Sequence, residues 1–272
     1  MLDEVLARHG LSVMACLATE SADGVVEAGV SSLPTLVLVG HAGSSLWPYF
    51  IASPEYRDGL AEPLDRWSRR IGDDIARRFG GRAVYPFDGP PFHPFQRWAM
   101  RAHGLRPSPL GVLIHPRYGP WHAYRFALFL PDGHADAGPG AARQSGPDAG
   151  FVTCDTCAAP CLAACPAGAI HRDGMDFVAC LDHLNGDVSH PCVQSGCGAR
   201  EACPVGDGYR YVPLHARFHM LARVGGHPVR APLVRQVGAR VADVAAMDLP
   251  GGVATADGAA DASPPSRRTG AA

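Results

Sequence analysis

Residues 154–166 read CDTCAAPCLAACP, a run of four cysteines that closes on a Cys-Pro pair. Its spacing is C-x2-C-x3-C-x3-C-P. Four more cysteines follow at positions 180, 192, 197 and 203, and the last of them again precedes a proline, Pro204. Eight of the nine cysteines in the chain therefore fall within fifty residues, and this concentration decides how the second half of the chain is interpreted.

Thiolates this closely spaced allow one loop to surround an iron-sulfur cube, with backbone N–H groups directed at the sulfides. The cysteine before proline in such a run commonly reaches a second cluster. We therefore expect two 4Fe-4S clusters with crossed ligation. The first set of ligands comprises Cys154, Cys157, Cys161 and Cys203, and the second set comprises Cys165, Cys180, Cys192 and Cys197.

Zinc, disulfides and a single cluster are the alternatives to two clusters. Structural zinc needs two closely spaced pairs, and only the pair 154/157 has CxxC spacing. A disulfide scaffold does not suit a reducing compartment. One cluster with four idle thiols is the third alternative, because the first run has one residue more between its second and third cysteines than the bacterial pattern. His183 and His190 lie among the thiols as alternative ligands or as surface residues.

Composition and charge exclude several classes of function. The chain has 272 residues, 47% of them hydrophobic, and a net charge of -2, so neither nucleic acid nor an anionic membrane meets a dominant basic field. All 24 basic residues are arginine, which excludes chemistry that needs a lysine. The first residues, MLDE, lack a basic signal region, and no long apolar run predicts a membrane span. We expect a cytoplasmic protein.

The first half of the chain has the patterns of a sheet domain with helices, which we place at residues 1–131. Helices are predicted where apolar residues recur every three to four positions, and strands where β-branched and apolar residues form short runs. The predicted helices are 2–9, 63–79 and 95–103, and the predicted strands are 11–18, 33–40, 82–86, 111–115 and 121–130. This mixture predicts the α+β class.

Composition changes after residue 131. Residues 132–150 are rich in Gly, Ala and Pro, as in a linker. We assign the cluster domain to residues 151–226, including a helix in the segment 212–226, and a C-terminal segment to 227–272. From about residue 250 the composition predicts disorder.

Two resemblances become visible in these segments. GVLIHPRYGPWHAYRFALFLPDG, residues 111–133, resembles the cobalamin-processing CblC protein in its I-H-P-R-aromatic-G-x-W-x-x-x-R order, and residues 36–50 and 62–79 resemble earlier parts of that family. CLDHLNG at 180–186 and ACPVG at 202–206 resemble the double-cluster module of epoxyqueuosine reductase and the reductive dehalogenases.

The resemblances imply a nitroreductase-like (CblC-like) α/β sandwich followed by a small ferredoxin-like double-cluster domain. They further imply base-off cobalamin in the first domain and clusters that pass electrons to it. The candidate cofactor-binding residues are Arg125, His115, Gly40, His41 and Gly43. Arg125 matches an arginine that contacts a thiol donor in CblC, and a strand arginine bonded to a neighbouring carboxylate is the alternative. His115 and His122 are alternatively structural.

The chain departs from both families, since no segment matches the acidic proton donor of epoxyqueuosine reductase and CblC proteins have no cluster module. Three hypotheses follow: a corrinoid-dependent oxidoreductase, a ferredoxin-like electron carrier without corrinoid, and a cobalamin-processing protein. The expected partners are an electron donor such as a flavodoxin or ferredoxin reductase and a small-molecule substrate. A tRNA is an expected partner only if the analogy with epoxyqueuosine reductase holds.

Overall fold

The structure is a computed structural model that describes residues 1–20, 23, 33–131 and 154–224. The predicted linker 132–150, the segment 227–272 and the disorder expected from residue 250 lie outside the described residues.

The first half of the chain contains five helices and six strands within the described ranges. The helices are α1 (Leu2–Ala7), α2 (Trp47–Ile51), α3 (Pro54–Arg57), α4 (Pro63–Arg78) and α5 (Phe95–His103). The strands are β1 (Ser12–Ala18), β2 (Thr35–Ala42), β3 (Arg82–Val84), β4 (Arg106–Pro107), β5 (Leu113–Ile114) and β6 (His122–Leu130). The three predicted helices and the predicted strands are confirmed within a few residues at each end.

Four of these strands form one antiparallel sheet in the order β1-β2-β6-β3. Between the two central strands, Thr35 at the start of β2 pairs with Leu130 at the end of β6. The register of this pair of strands shifts between Val39 and Gly40. The predicted strand 111–115 is shorter than expected, because β5 has two residues and pairs with β4 in a separate ribbon. The fold is therefore α+β with antiparallel sheets.

The side chains of β2 point alternately to the two faces of the sheet, and both faces are covered. Val37 and Val39 belong to the apolar cluster that includes α1, α2 and α4, whereas Leu36 and Leu38 belong to the cluster that includes α5. Successive side chains of a strand point to opposite faces, so an uninterrupted apolar run requires packing on both sides.

Helix α4 contributes one apolar stripe to this packing. Leu64, Trp67, Ile71 and Ile75 are buried, whereas the exposed face carries Arg69, Arg70, Asp73, Asp74 and Arg77. Pro63 occupies the first turn, where its missing N–H leaves no hydrogen bond unmade. The 3.6-residue period of the sequence therefore positions α4 against β6.

The second half of the chain consists of short elements around the cysteines. The helices are α6 (Pro160–Ala163), α7 (Phe177–Gly186), α8 (Pro191–Gln194), α9 (Gly198–Glu201) and α10 (Pro213–Leu221), and the strands are β7 (Ile170–His171) and β8 (Gly174–Met175). A 3-10 turn, Asp207–Tyr209, precedes α10.

The two halves share a hydrophobic core. Phe218 of α10 packs against Trp47 and Phe50 of α2, with ring centroids 5.6 Å and 5.3 Å apart. Leu184 and Val193 belong to the same buried cluster. Packing of this kind fixes the cysteine region against the sheet.

Among the described residues, none of the helices combines the length and the apolar character that crossing a bilayer requires.

Candidate metal centres

The eight clustered cysteines divide into two groups of four. Burial and then the neighbouring thiols Cys203, Cys157 and Cys161 raise the pKa of Cys154. The pKa of Cys203 is likewise raised by burial and by Cys161 and Cys157. The same four cysteines line one cavity. Cys154, Cys157, Cys161 and Cys203 are thus neighbours, although Cys203 follows Cys161 by 42 positions in the sequence.

The second group is formed by the remaining four. Burial raises the pKa of Cys180, and the thiols that add to the effect are Cys197, Cys165 and Cys192. The pKa of Cys192 is raised by burial, then by Cys197 and Cys165. These are the members of the two sets named in the sequence analysis, and their role as ligands stays a prediction. The identity of the bound metal stays a prediction.

Two short helices explain how the sets become crossed. Helix α6 contains Cys161 of the first set in its first turn, and Cys165 of the second set follows its end. Helix α9 has Cys197 of the second set as its N-cap residue, and Cys203 of the first set follows its end. The two helices pack together. They therefore run in opposite directions between the two groups of thiols.

Backbone N–H groups donate hydrogen bonds to the sulfurs. The N–H of Ala159 lies 3.3 Å from Cys157 Sγ, and that of Ala169 lies 3.4 Å from Cys165 Sγ. Ala159 has a left-handed φ of 55°, which turns the chain into α6 at Pro160. Such donors stabilise negative charge on sulfur, as iron-sulfur ligation requires.

The spacing of the sulfurs bears on which metal fits. A tetrahedral zinc with Zn–S bonds of about 2.3 Å holds its sulfurs roughly 3.8 Å apart. Within the described residues, three ligand atoms approach within 4.8 Å only in the group His183, His190 and Cys192. Neither cysteine set is that compact among the described residues, and the choice between an iron-sulfur cube and zinc stays a prediction. All nine cysteines are free thiols.

The first cysteine set lies at the boundary between the halves of the chain. Its cavity is also lined by Ser108, Pro109, Leu110 and Ile114 from the sheet half. The second set lies elsewhere, because Cys192 belongs to the shared core and Cys180 and Cys197 pack against it. A group bound by the first set would therefore face the sheet half directly.

Two glycines hold the loop after Cys203 against the sheet half. A Cβ on Gly119 would overlap the carbonyl oxygen of Val205, and one on Gly206 would overlap the backbone of Tyr118. Both glycines have positive φ, 56° and 74°. Only residues without a side chain allow this approach of the two backbones.

Arg125 is buried and paired. Its guanidinium donates to Asp65 Oδ1 at 2.8 Å and to Ser68 Oγ at 3.0 Å, and its side chain is 10% exposed. The sequence analysis gave this ion pair with a neighbouring carboxylate as the alternative to a ligand role for Arg125. The guanidinium is buried, and a ligand role for it stays a prediction.

His115 and Gly40 also have structural partners. His115 Nδ1 accepts hydrogen bonds from the N–H groups of Arg117, at 3.0 Å, and Tyr118, at 3.3 Å. Burial lowers the pKa of His115 to about 3, so its imidazole is neutral. Gly40 lies in the sheet, where a Cβ would overlap the carbonyl oxygen of Ala123.

His41 and Gly43 face the second half of the chain. A Cβ on Gly43 would lie 3.1 Å from the carbonyl oxygen of Tyr209. The His41 ring lies 5.6 Å from that of His215 and 5.8 Å from that of Tyr211. His41 Nδ1 lies 2.8 Å from the Gly43 carbonyl oxygen, while His41 Nε2 is buried without a hydrogen-bond partner.

The sequence did not predict the polar contacts that surround His41. Ser44 Oγ lies 3.0 Å from His215 Nδ1, and Tyr211 stacks on His215 with centroids 4.1 Å apart. The Arg200 guanidinium covers Trp121 and Tyr211 at 4.7 Å and 4.5 Å, and donates to the Pro120 carbonyl. The spacing of His215 and His219 on one face of α10 was the available signal.

Comparison with protein-family models and with curated protein sequences finds no match for this chain. Among solved structures, epoxyqueuosine reductase from Bacillus subtilis, with its catalytic loop swung out of the active site, aligns with a TM-score of 0.41 and 12% identity. The alignment covers 84% of this chain and 75% of that one. A TM-score this low leaves function to be argued from the residues themselves.

Proposed function

We propose that the chain is an iron-sulfur redox protein whose two cysteine sets each bind a 4Fe-4S cluster. The observation that carries the proposal is the division of eight cysteines into two groups of four that cross in sequence. Burial and the neighbouring thiols raise the pKa values of Cys154, Cys180, Cys192 and Cys203, so metal is needed to hold these four as thiolates.

Cluster binding would supply one-electron transfer, and the residues of the chain would set its direction. The first set borders Pro109, Leu110 and Ile114 of the sheet half, while the second set packs against α8 and α10. Electrons that enter at the second set would therefore leave toward the sheet half through the first.

The acceptor is the finer part of the proposal. On the resemblance to corrinoid proteins, a cobalamin-type cofactor or its substrate accepts electrons in a nitroreductase-like first domain, and the second half is a ferredoxin-like module. The buried, unpartnered Nε2 of His41 at the boundary of the halves is a polar atom that a bound group can satisfy. An electron carrier without corrinoid is the second candidate, favoured by the pairing of Arg125 with Asp65.

The test is anaerobic reconstitution followed by analysis of iron and cobalamin in the same sample. About eight irons per chain and a visible absorption that dithionite bleaches are expected. Four irons would indicate one cluster, and zinc in place of iron would contradict the proposal. Added cobalamin that shifts to its base-off spectrum supports the corrinoid acceptor, whereas an unchanged cobalamin spectrum supports the carrier.

A further inference from the structure

The surface of α7 differs from that of every other long helix in the described chain. Eight large apolar side chains are exposed among the described residues, and four of them lie between positions 177 and 188. These four are Phe177, Val178, Leu181 and Val188. The α7 face is defined here as these four side chains. Exposed apolar patches that are rimmed by polar residues are typical of interaction sites.

The position of α7 connects this face to the second cysteine set. Cys180 lies one helical turn after Phe177, so these two side chains are neighbours on the helix surface, and Phe177 is 54% exposed. Leu184 is the helix residue that enters the core. A protein bound to the α7 face would therefore lie directly beside a ligand of the second cluster.

Charge around the α7 face restricts the kind of partner. Residues 176–190 contain Asp176, Asp182 and Asp187 and no arginine. The Arg223 guanidinium, just past α10, partly offsets the rise in the pKa of Cys180. One arginine against three aspartates leaves an excess of negative charge around this face. A complementary surface would have an apolar centre and a basic rim.

We propose that the α7 face is the docking surface for a one-electron carrier protein that presents an apolar contact ringed by lysine or arginine. The proposal rests on the proposed function, because docking here matters only if the second set binds a cluster. The contact would be small and transient, as is usual for electron-transfer pairs.

The test follows electron transfer from the dithionite-reduced, reconstituted full-length protein to ferric cytochrome c, a small basic haem protein. Leu181→Asn removes apolar contact without adding charge. Asp182→Asn removes one carboxylate from the middle of the helix. Asp176 and Asp187 are left unchanged because they accept hydrogen bonds from backbone N–H groups at the helix ends. Each substitution is expected to lower the second-order rate constant about threefold, and added salt should slow the unaltered protein more than the Asp182→Asn variant.

Matched controls carry the same substitutions far from α7. Leu60→Asn changes another exposed leucine, and Asp74→Asn removes a carboxylate from the exposed face of α4. Both controls should react at the rate of the unaltered protein. Leu181→Asn and both controls should react with ferricyanide, a small anionic oxidant that needs no docking surface, at the rate of the unaltered protein, and Asp182→Asn should react no more slowly.

Equal rate constants for the α7 variants and their controls would overturn the docking proposal while leaving the clusters in place. Loss of iron from both α7 variants would overturn it as well, because the helix would then serve cluster retention. Absence of iron from the unaltered protein would instead reject the proposed function. The two failures are therefore distinguishable in one series of samples.

Discussion

Gly119 and Gly206 face each other across the boundary between the two halves of the chain, and neither has room for a side chain. Gly206 lies three residues after Cys203, and Gly119 lies in the turn that precedes β6. The contact therefore fixes the last ligand of the first set against the sheet half.

Replacement of Gly119 by alanine is expected to destabilise the protein and to weaken iron binding by the first set. The positive φ alone costs about 1–2 kcal/mol, and forcing the two backbones apart adds roughly 1–3 kcal/mol. The thermal midpoint and the iron content after reconstitution measure the two effects.

Gly104→Ala is the control for backbone strain, since Gly104 has a φ of 61° and no atom within 4 Å of its added Cβ. It should show the conformational cost alone and retain full iron. If Gly119→Ala is no more destabilised than Gly104→Ala, the contact with Val205 contributes nothing to the first site.

Crossed ligation predicts which cysteine substitutions behave alike. Cys161→Ser and Cys203→Ser should each remove the first cluster, and Cys165→Ser and Cys180→Ser should each remove the second. Iron content and low-temperature electron paramagnetic resonance of the reduced samples distinguish the two outcomes. Cys16→Ser is the control, because Cys16 lies in β1, outside both sets. Matching spectra for Cys161→Ser and Cys165→Ser would contradict the crossing.

His190 is expected to retain the second cluster by capping α8. Its Nδ1 accepts the N–H of Cys192 at 3.1 Å and lies 3.3 Å from His183 Nε2. Since Nδ1 accepts, the proton between the two rings belongs to His183. His190→Ala should speed iron loss to a chelator, because the cap contributes about 0.5–2 kcal/mol.

Serine at position 190 restores a capping oxygen and should restore retention of iron. His171→Ala, at an exposed position, provides the control. Equal iron loss from His190→Ser and His190→Ala would mean that the imidazole itself binds iron, the alternative that the sequence left open.

Stability is expected to fall as the pH drops below about 6.5. Burial lowers the pKa of His41 to about 3 and that of His122 to about 4, whereas an unfolded chain protonates both near 6.5. Between these values the unfolded state binds more protons, so each pH unit below 6.5 costs up to about 1.4 kcal/mol for each imidazole.

Thermal midpoints between pH 7.5 and pH 5.5 measure this effect. His41→Gln should give a shallower decline than the unaltered protein, and His171→Gln at an exposed site should leave the decline unchanged. A decline identical in all three proteins would exclude His41 as a source of the pH dependence.

Local patterns predicted the regular elements better than their arrangement. The stripe on α4 and the apolar runs of β2 and β6 were recognisable, because burial on one or both faces imposes a period on the sequence. Helices α2 and α3 were missed, since four or five residues are too few for a period to show. The strand order β1-β2-β6-β3 depends on long-range pairing and leaves no local signal.

The two cysteine sets were predicted from the sequence because ligand spacing is a local constraint, and their binding of clusters stays a prediction. The surroundings of His41 were not, since Tyr211 and His215 lie about 170 residues away and have no spacing relation to it. The pairing of Arg125 with Asp65 depends on where Asp65 lies in the fold, which no motif records.

The opposite directions of α6 and α9 have a consequence for biosynthesis. The first set begins at Cys154 and needs Cys203, and Cys165 needs partners that are synthesised after it. A nascent chain that stops short of residue 203 therefore does not contain both complete sets. If both sets bind clusters as proposed, the full iron complement is therefore inserted only after residue 203 has been synthesised. The second set is complete at Cys197 and the first at Cys203, so the two sites become available within six residues of each other.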